Sequence, residues 1–111
     1  MSRGWTDAYL ERMAARFKAL GEPARLRIIE SLRRDGEQTV TELVDGTRLG
    51  QANLSKHLQV LHGAGLVVRR RDGLYVRYAI ADDEIGTLCD VMCGRLEREF
   101  HDDRRDAHTS A

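Results

Sequence analysis

Apolar residues recur at helical spacing from near the start of the chain, at Leu10, Met13, Phe17 and Leu20, behind Thr6 as a candidate N-cap and ahead of Gly21. This pattern predicts a first helix over about residues 6–20. Pro23 then fits a first helical turn, where its missing N–H costs nothing, and Leu26, Ile29 and Leu32 share a face until Gly36. Thr39 and Glu42 have capping-box spacing ahead of Leu43 and Val44, opening a short third helix that ends near Gly46 to Arg48. A fourth helix begins after Gly50. It has Leu54, Leu58 and Leu61 on one side and Ala52, Ser55, Lys56 and Gln59 turned away, and it ends at Gly63 and Gly65. The period then changes from helical to alternating. Leu66 to Arg71 and Leu74 to Ile80 read as two strands, with Leu74, Val76, Tyr78 and Ile80 on one face, joined through the hairpin signal Asp72-Gly73. A last helix, about residues 82–100, has the stripe Ile85, Leu88, Met92, Leu96 and Phe100. Residues 101–111 lack periodic apolar positions and read as a frayed, flexible tail.

The predicted order is ααααββα: a mainly α fold with a β-hairpin, of α+β class. With 111 residues, the chain suffices for one core, burying roughly 65% of its unfolded surface, so residues 1–100 read as a single domain. The N-terminal run MSRGWTDAYLERMAARF has no uninterrupted apolar stretch, which leads us to expect neither a signal peptide nor a membrane span and a cytoplasmic setting. Two cysteines, Cys89 and Cys93, are too few and too close for a disulfide framework and would rest as thiols in a reducing compartment. No paired carboxylates, nucleophile-base set or glycine-rich phosphate loop is evident, so the sequence does not read as an enzyme.

Charge changes the picture once it is read by region. The 18 basic and 18 acidic residues cancel over the whole chain, but residues 48–77 have 6 positive and 1 negative side chains, and residues 78–111 have 4 and 9. A regional excess of this kind bears on partners. The third and fourth helices, joined by a short turn, read as a helix-turn-helix. At the start of the fourth, Gln51, Ala52, Asn53, Ser55 and Lys56 offer amide, hydroxyl and ammonium groups suited to base edges and phosphates. The hairpin that follows holds Arg69, Arg70, Arg71 and Arg77, cations that can reach phosphates or a minor groove beside a helix lodged in the major groove. Either element alone is equally an ordinary polar helix face or a charge-protected edge hairpin. Together, with only Asp72 opposing six cations, they favour double-stranded DNA as partner over a protein-docking winged helix.

The runs LGEPARLRIIESL and TELVDGTRLGQANLSKHLQVLHGAGLVVRRRDGLYVRYAI, with the helix after them, resemble the ArsR/SmtB family of winged helix-turn-helix repressors over about residues 13–98. The likeness rests on Leu20 to Leu26 (Leu-x-x-Pro-x-Arg-Leu), Ser55 to Leu58 (Ser-x-His-Leu), Leu61 to Leu66 (Leu-x-x-Ala-Gly-Leu) and the Asp-Gly wing tip. The resemblance implies a cytoplasmic homodimer that binds a palindromic operator and is released by an effector. The residues themselves point to a dimer too: a core of the middle helices and hairpin covers only part of the stripes on the terminal helices, about 6–20 and 82–100. A two-fold dimer would present two recognition helices about 34 Å apart, one turn of DNA. His57 reads as a structural or backbone-contacting residue of the recognition helix, and Trp5 and Tyr9 as interface packing.

Metalloregulation is one of the family's functions, and here the likeness thins. For a zinc site across paired closing helices, Asp82 and Glu84 stand at the first two positions, but Arg95 and Arg98 occupy the later two; the stretch Thr39 to Leu43 has no thiol, and helix 2 has no cysteine. What remains is Cys89 and Cys93, one turn apart on one helical face. They are suited to a thiophilic ion such as As(III), Cd(II) or Cu(I), with ligands from a partner helix, Met92, His101 or His108. Interchain disulfides or sulfide-responsive thiols are an alternative, and simple packing of two small buried residues is another. The acidic surroundings of Asp82, Asp83, Glu84, Asp90, Glu97 and Glu99 would hinder thiolate formation and attract a cation.

Overall fold

The computed structural model describes residues 4–109, with side-chain surroundings through residue 103. The chain forms α1 (Asp7–Leu20), α2 (Pro23–Asp35), β1 (Gln38–Thr39), α3 (Val40–Thr47), α4 (Gln51–Gly63), β2 (Val67–Asp72), β3 (Tyr75–Ile80) and α5 (Asp83–Thr109). Each helix start has a local cause. Thr6 accepts from the Tyr9 N–H at 3.2 Å, Pro23 occupies the first turn of α2, and Thr39 and Glu42 close a full capping box on α3. Gly36 ends α2 at φ 78°, a conformation that a side chain would strain.

The core is built where α2, α3, α4 and the hairpin meet. Ile28, Ile29, Leu32, Leu43, Leu54, Leu58, Leu61 and Val67 are buried there, with Tyr78 and Leu66 at its edge. In α2 the buried face is Ile28, Ile29 and Leu32, whereas Leu26, expected on that face, is exposed. The three buried polar residues among those described are all hydrogen-bonded, as burial demands. The Gln38 amide donates to the Ser31 carbonyl at 2.9 Å, the Ser31 hydroxyl lies 3.2 Å from the same amide, and the Thr47 hydroxyl donates to the Leu43 carbonyl at 2.6 Å.

Three features depart from the sequence pattern. The hairpin has a third strand: β1 pairs antiparallel with β3, Gln38 opposite Tyr78 and Thr39 opposite Arg77, giving the order β1-β3-β2. Two residues carry no period, so the alternation could not reveal them. Second, Asp72 pairs with Tyr75, which leaves Gly73 and Leu74 as the two-residue loop. Gly73 has φ 63° while Leu74 does not enter positive φ, the sign pattern of a type II′ turn with glycine first. Leu74 therefore leaves the packed face and is 97% exposed. Third, α5 does not stop at Phe100 but runs to Thr109. Once nucleated, a helix gains one hydrogen bond per added residue and needs no apolar stripe to continue.

Candidate nucleic-acid interface

The helix-turn-helix is set by α3, the turn at Arg48 to Gly50, and α4. Arg48 caps α3 in the left-handed region at φ 63°, and the Leu49 N–H donates to the Thr47 hydroxyl at 3.3 Å, closing the turn. Burial of Leu54, Leu58 and Leu61 then decides which side of α4 faces solvent. Ala52, Ser55 and Lys56 are exposed on the opposite side, as their spacing predicts, and Gln51 and Asn53 are exposed in the first turn.

The wing arginines divide into two pairs by strand parity. Arg69 and Arg71 lie on the face of β2 that also carries buried Val67, opposite Tyr78 and Val76 of β3. Both are exposed, and neither has an ion-pair partner among the described residues. Arg70 and Arg77 sit opposite each other on the other face. Arg70 grips the Glu37 carboxylate with Nη2 at 2.5 Å and Nε at 3.3 Å, and Arg77 binds Asp72 at 2.9 Å with Glu42 at 3.8 Å. The hydrogen bond from Arg70 holds the Glu37 carboxyl below its ordinary range, and that from Arg77 does the same for Asp72. The carboxyl of Glu42 is held low chiefly by the Thr39 backbone N–H of the capping box. The four arginines are thus not equivalent: two have no ion-pair partner among the described residues, while Arg70 ties the wing to the segment just before β1 and Arg77 bonds within the wing and reaches α3. Arg48, whose charge contributes to the basic segment, is exposed at the turn without an ion-pair partner among the described residues. It is a candidate contact that attention to α4 and the hairpin passed over.

Both terminal helices leave apolar surface uncovered. Trp5, Tyr9, Leu10 and Phe17 at and along α1, and Leu88, Met92, Leu96 and Phe100 along α5, are exposed. Between these helices runs an open groove of about 730 Å³, lined by Tyr9, Met13, Phe17, Ile85 and Leu88 with Arg12 at its side. Exposed apolar side chains gathered along two helices in this way are a candidate association surface.

On α5, Cys89 is half-buried and Cys93 exposed. Arg33 of α2 binds Asp90 through both guanidinium nitrogens, at 2.7 and 2.5 Å. The guanidinium packs on Gly86, where a β-carbon would meet Arg33 Nε at 2.5 Å. Burial pushes the Cys89 thiol up, while Arg33 pulls it down and Asp90 raises it. The acidic residues nearby in sequence are therefore not the whole field, because α2 supplies a cation. Cys93 Sγ lies 3.7 Å from Glu97 Oε1. Asp82 spends one carboxylate oxygen on the Glu84 N–H at 2.8 Å, as a cap of α5. Arg95 pairs with Glu99 at 3.1 Å. Among the described residues no three His, Cys, Asp or Glu side chains cluster in a way that could hold a metal ion. His101 is exposed on α5, and His108 lies outside the residues with described side chains.

A two-helix reading unit followed by a basic antiparallel hairpin defines a winged helix-turn-helix. Residues 22–68 match the family model described as "Bacterial regulatory protein, arsR family". The arsenical resistance operon repressor of Bacillus subtilis is 32% identical over 85 residues, covering 76% of this chain and 81% of that protein. The crystal structure of Rv0081 from Mycobacterium tuberculosis superposes with a TM-score of 0.76 at 37% identity, covering 88% of this chain and 97% of that one. The solution structure of the homodimeric winged helix-turn-helix domain of Mb0332 from Mycobacterium bovis gives a TM-score of 0.77 at 29% identity, covering 89% and 94%. The chain belongs to the ArsR family of transcriptional regulators, a family of DNA-binding repressors and not of enzymes. No helix among the described residues is long and apolar enough to cross a membrane.

Proposed function

We propose that this protein is a cytoplasmic homodimer that binds a palindromic operator through α4 and the wing and is released by an effector acting on α5. The observation that carries the reading is the exposed polar face of α4 beside a wing with two unpaired guanidinium groups, Arg69 and Arg71. Gln51, Asn53, Ser55 and Lys56 read base edges in the major groove and Ala52 packs against them, while Arg69 and Arg71 hold the phosphates. Arg70 and Arg77 contribute mainly by fixing the wing on the segment before β1 and on α3. The apolar faces of α1 and α5 are the surface that a second copy covers, and the homodimeric neighbour supports that occupant. Binding of operator fragments against salt tests the reading: operator affinity must exceed that for unrelated DNA and fall steeply with salt. A monomer that binds both DNAs equally overturns it.

The thiols of Cys89 and Cys93 are the effector-responsive groups in this reading. Their support is their place on α5, at the edge of the apolar stripe and beside the Arg33–Asp90 tie to α2. A ligand or oxidant at the thiols would disturb both at once, biasing the angle between the dimer helices and the reading domains. The kinship with an arsenical resistance repressor favours a thiophilic metalloid such as As(III), with Cd(II) and Cu(I) in the same class, and further ligands would come from the partner helix, Met92, His101 or His108. Release from operator by As(III), Cd(II), Zn(II), Cu(I), peroxide and polysulfide, repeated with Cys89→Ser and Cys93→Ser, identifies the effector class. An unchanged response in the double variant assigns both thiols to packing.

A further inference from the structure

Among the described residues, His57 is the one side chain of α4 hydrogen-bonded to another helix. Its Nδ1 lies 3.2 Å from Arg25 Nη1 on α2, at a separation of 32 residues in sequence. The same guanidinium donates from Nε to the Ala19 carbonyl and from Nη2 to the Lys18 carbonyl, both in the last turn of α1. One planar cation therefore joins the C-terminus of α1, the first turns of α2 and the middle of α4. A cation at a helix C-terminus also complements the helix dipole, which holds Arg25 in place.

The chemistry of the pair is one-directional. A guanidinium has only donors and stays charged, so the ring nitrogen facing it must be an acceptor. That requires neutral His57 with its proton on Nε2. Leu54, Leu58 and Leu61 are buried apolar groups, and dispersion and burial are not directional; the other directional tie, from Arg16 Nε to the Ala64 carbonyl at 3.1 Å, lies at the C-cap of α4, away from the base-reading first turns. Side-chain tips stand about 5–6 Å from a helix axis, so a 10° rotation of α4 moves a base-reading group by about 1 Å, enough to spoil a bidentate contact.

Resting on the operator-binding reading above, we infer that Arg25 and His57 are positioning residues for base recognition: their hydrogen bond sets the rotation of α4 about its axis, and it requires the Nε2–H tautomer of His57. Neither residue touches a base. His57 lies at the margin of the buried face, away from the exposed side that holds Ser55 and Lys56.

The test combines a spectroscopic readout with a specificity readout on the full chain. Long-range 15N spectra of the free protein should show His57 protonated at Nε2 and accepting at Nδ1. His57→Asn keeps an acceptor near the Nδ1 position and should retain the wild-type ratio of operator to unrelated-DNA affinity. His57→Leu and Arg25→Lys should each lower that ratio at least tenfold, with affinity for unrelated DNA unchanged. Arg25→Lys decides the matter if His57→Leu fails to fold, because one ammonium cannot span the three acceptors. An Nδ1–H tautomer, or wild-type discrimination in both disruptive variants, overturns the inference. A wild-type protein that shows no operator preference overturns the operator-binding reading instead, and the tautomer still decides the Arg25–His57 bond.

Discussion

Replacing Arg71 by alanine removes an exposed guanidinium with no ion-pair partner among the described residues, whereas replacing Arg70 removes one already engaged by Glu37. The two side chains are adjacent on β2 but project from opposite faces, so the pair compares the free face of the wing with the tied one. In a homodimer every substitution counts twice. Each phosphate contact contributes about 0.9 to the slope of log affinity against log salt, so Arg71→Ala should make the slope shallower by about 1.8. Over a rise from roughly 50 to 200 mM salt, the wild type should lose about twelve-fold more affinity than the variant. Arg70→Ala should shift the slope by less than half as much. Fluorescence anisotropy on operator and unrelated duplexes, titrated at several salt concentrations, measures both. Equal slope changes in the two variants, or an unchanged slope in Arg71→Ala, would refute the division of the wing into free and neutralised cations.

Three further outcomes probe the assembly and the wing root. Leu96 is 42% exposed in the protomer, so completing its burial in a dimer is worth about 1 kcal/mol per copy; Leu96→Asp should weaken the dimer at least about thirty-fold by sedimentation equilibrium, and an unchanged dimer would place the interface elsewhere. Thr39→Ala should cost about 1 kcal/mol in urea unfolding through loss of the cap on α3. The depressed carboxyls of Glu37, Glu42 and Asp72 contribute stability that is fully present above the ordinary carboxylate range and lost as pH falls through their lowered folded values. Stability should therefore hold down to that range and then decline, and Glu42→Gln should flatten part of the decline; an identical acid profile in the variant would mean that the capping carboxylate carries none of it.

The regular elements were legible because their causes are local. A 3.6-residue apolar period, a threonine three residues before a glutamate, and glycines past the helix ends are all contained within a dozen residues, and α1 to α4 follow them closely. β1 was not legible, since Gln38 and Thr39 form a strand only because β3 passes beside them. Leu74 was misplaced because alternation alone cannot say whether a residue beside a glycine belongs to the ladder or the loop. The reach of α5 past Phe100 was missed because an apolar stripe marks what a helix packs against, not where it ends.

The basic segment likewise had two layers of meaning. Composition located a surplus of cations between residues 48 and 77, and helical spacing turned Ala52, Ser55, Lys56 and Gln59 away from the Leu54, Leu58 and Leu61 stripe; both are properties of neighbours along the chain. Which cations remain available is a different matter, settled by residues far away in sequence. Glu37 reaches Arg70 across 33 positions, Arg33 of α2 reaches Asp90 across 57, and Arg25 reaches His57 across 32. Side-chain charges and hydrogen bonds act over a few ångströms of space irrespective of separation along the chain, so only the packed fold brings these partners together. The sequence by itself determined the helix-turn-helix, the hairpin and the sign of the charge they present. The tertiary structure decided which arginines have ion-pair partners, how the closing helix is tied to α2, and which ring nitrogen of His57 faces Arg25.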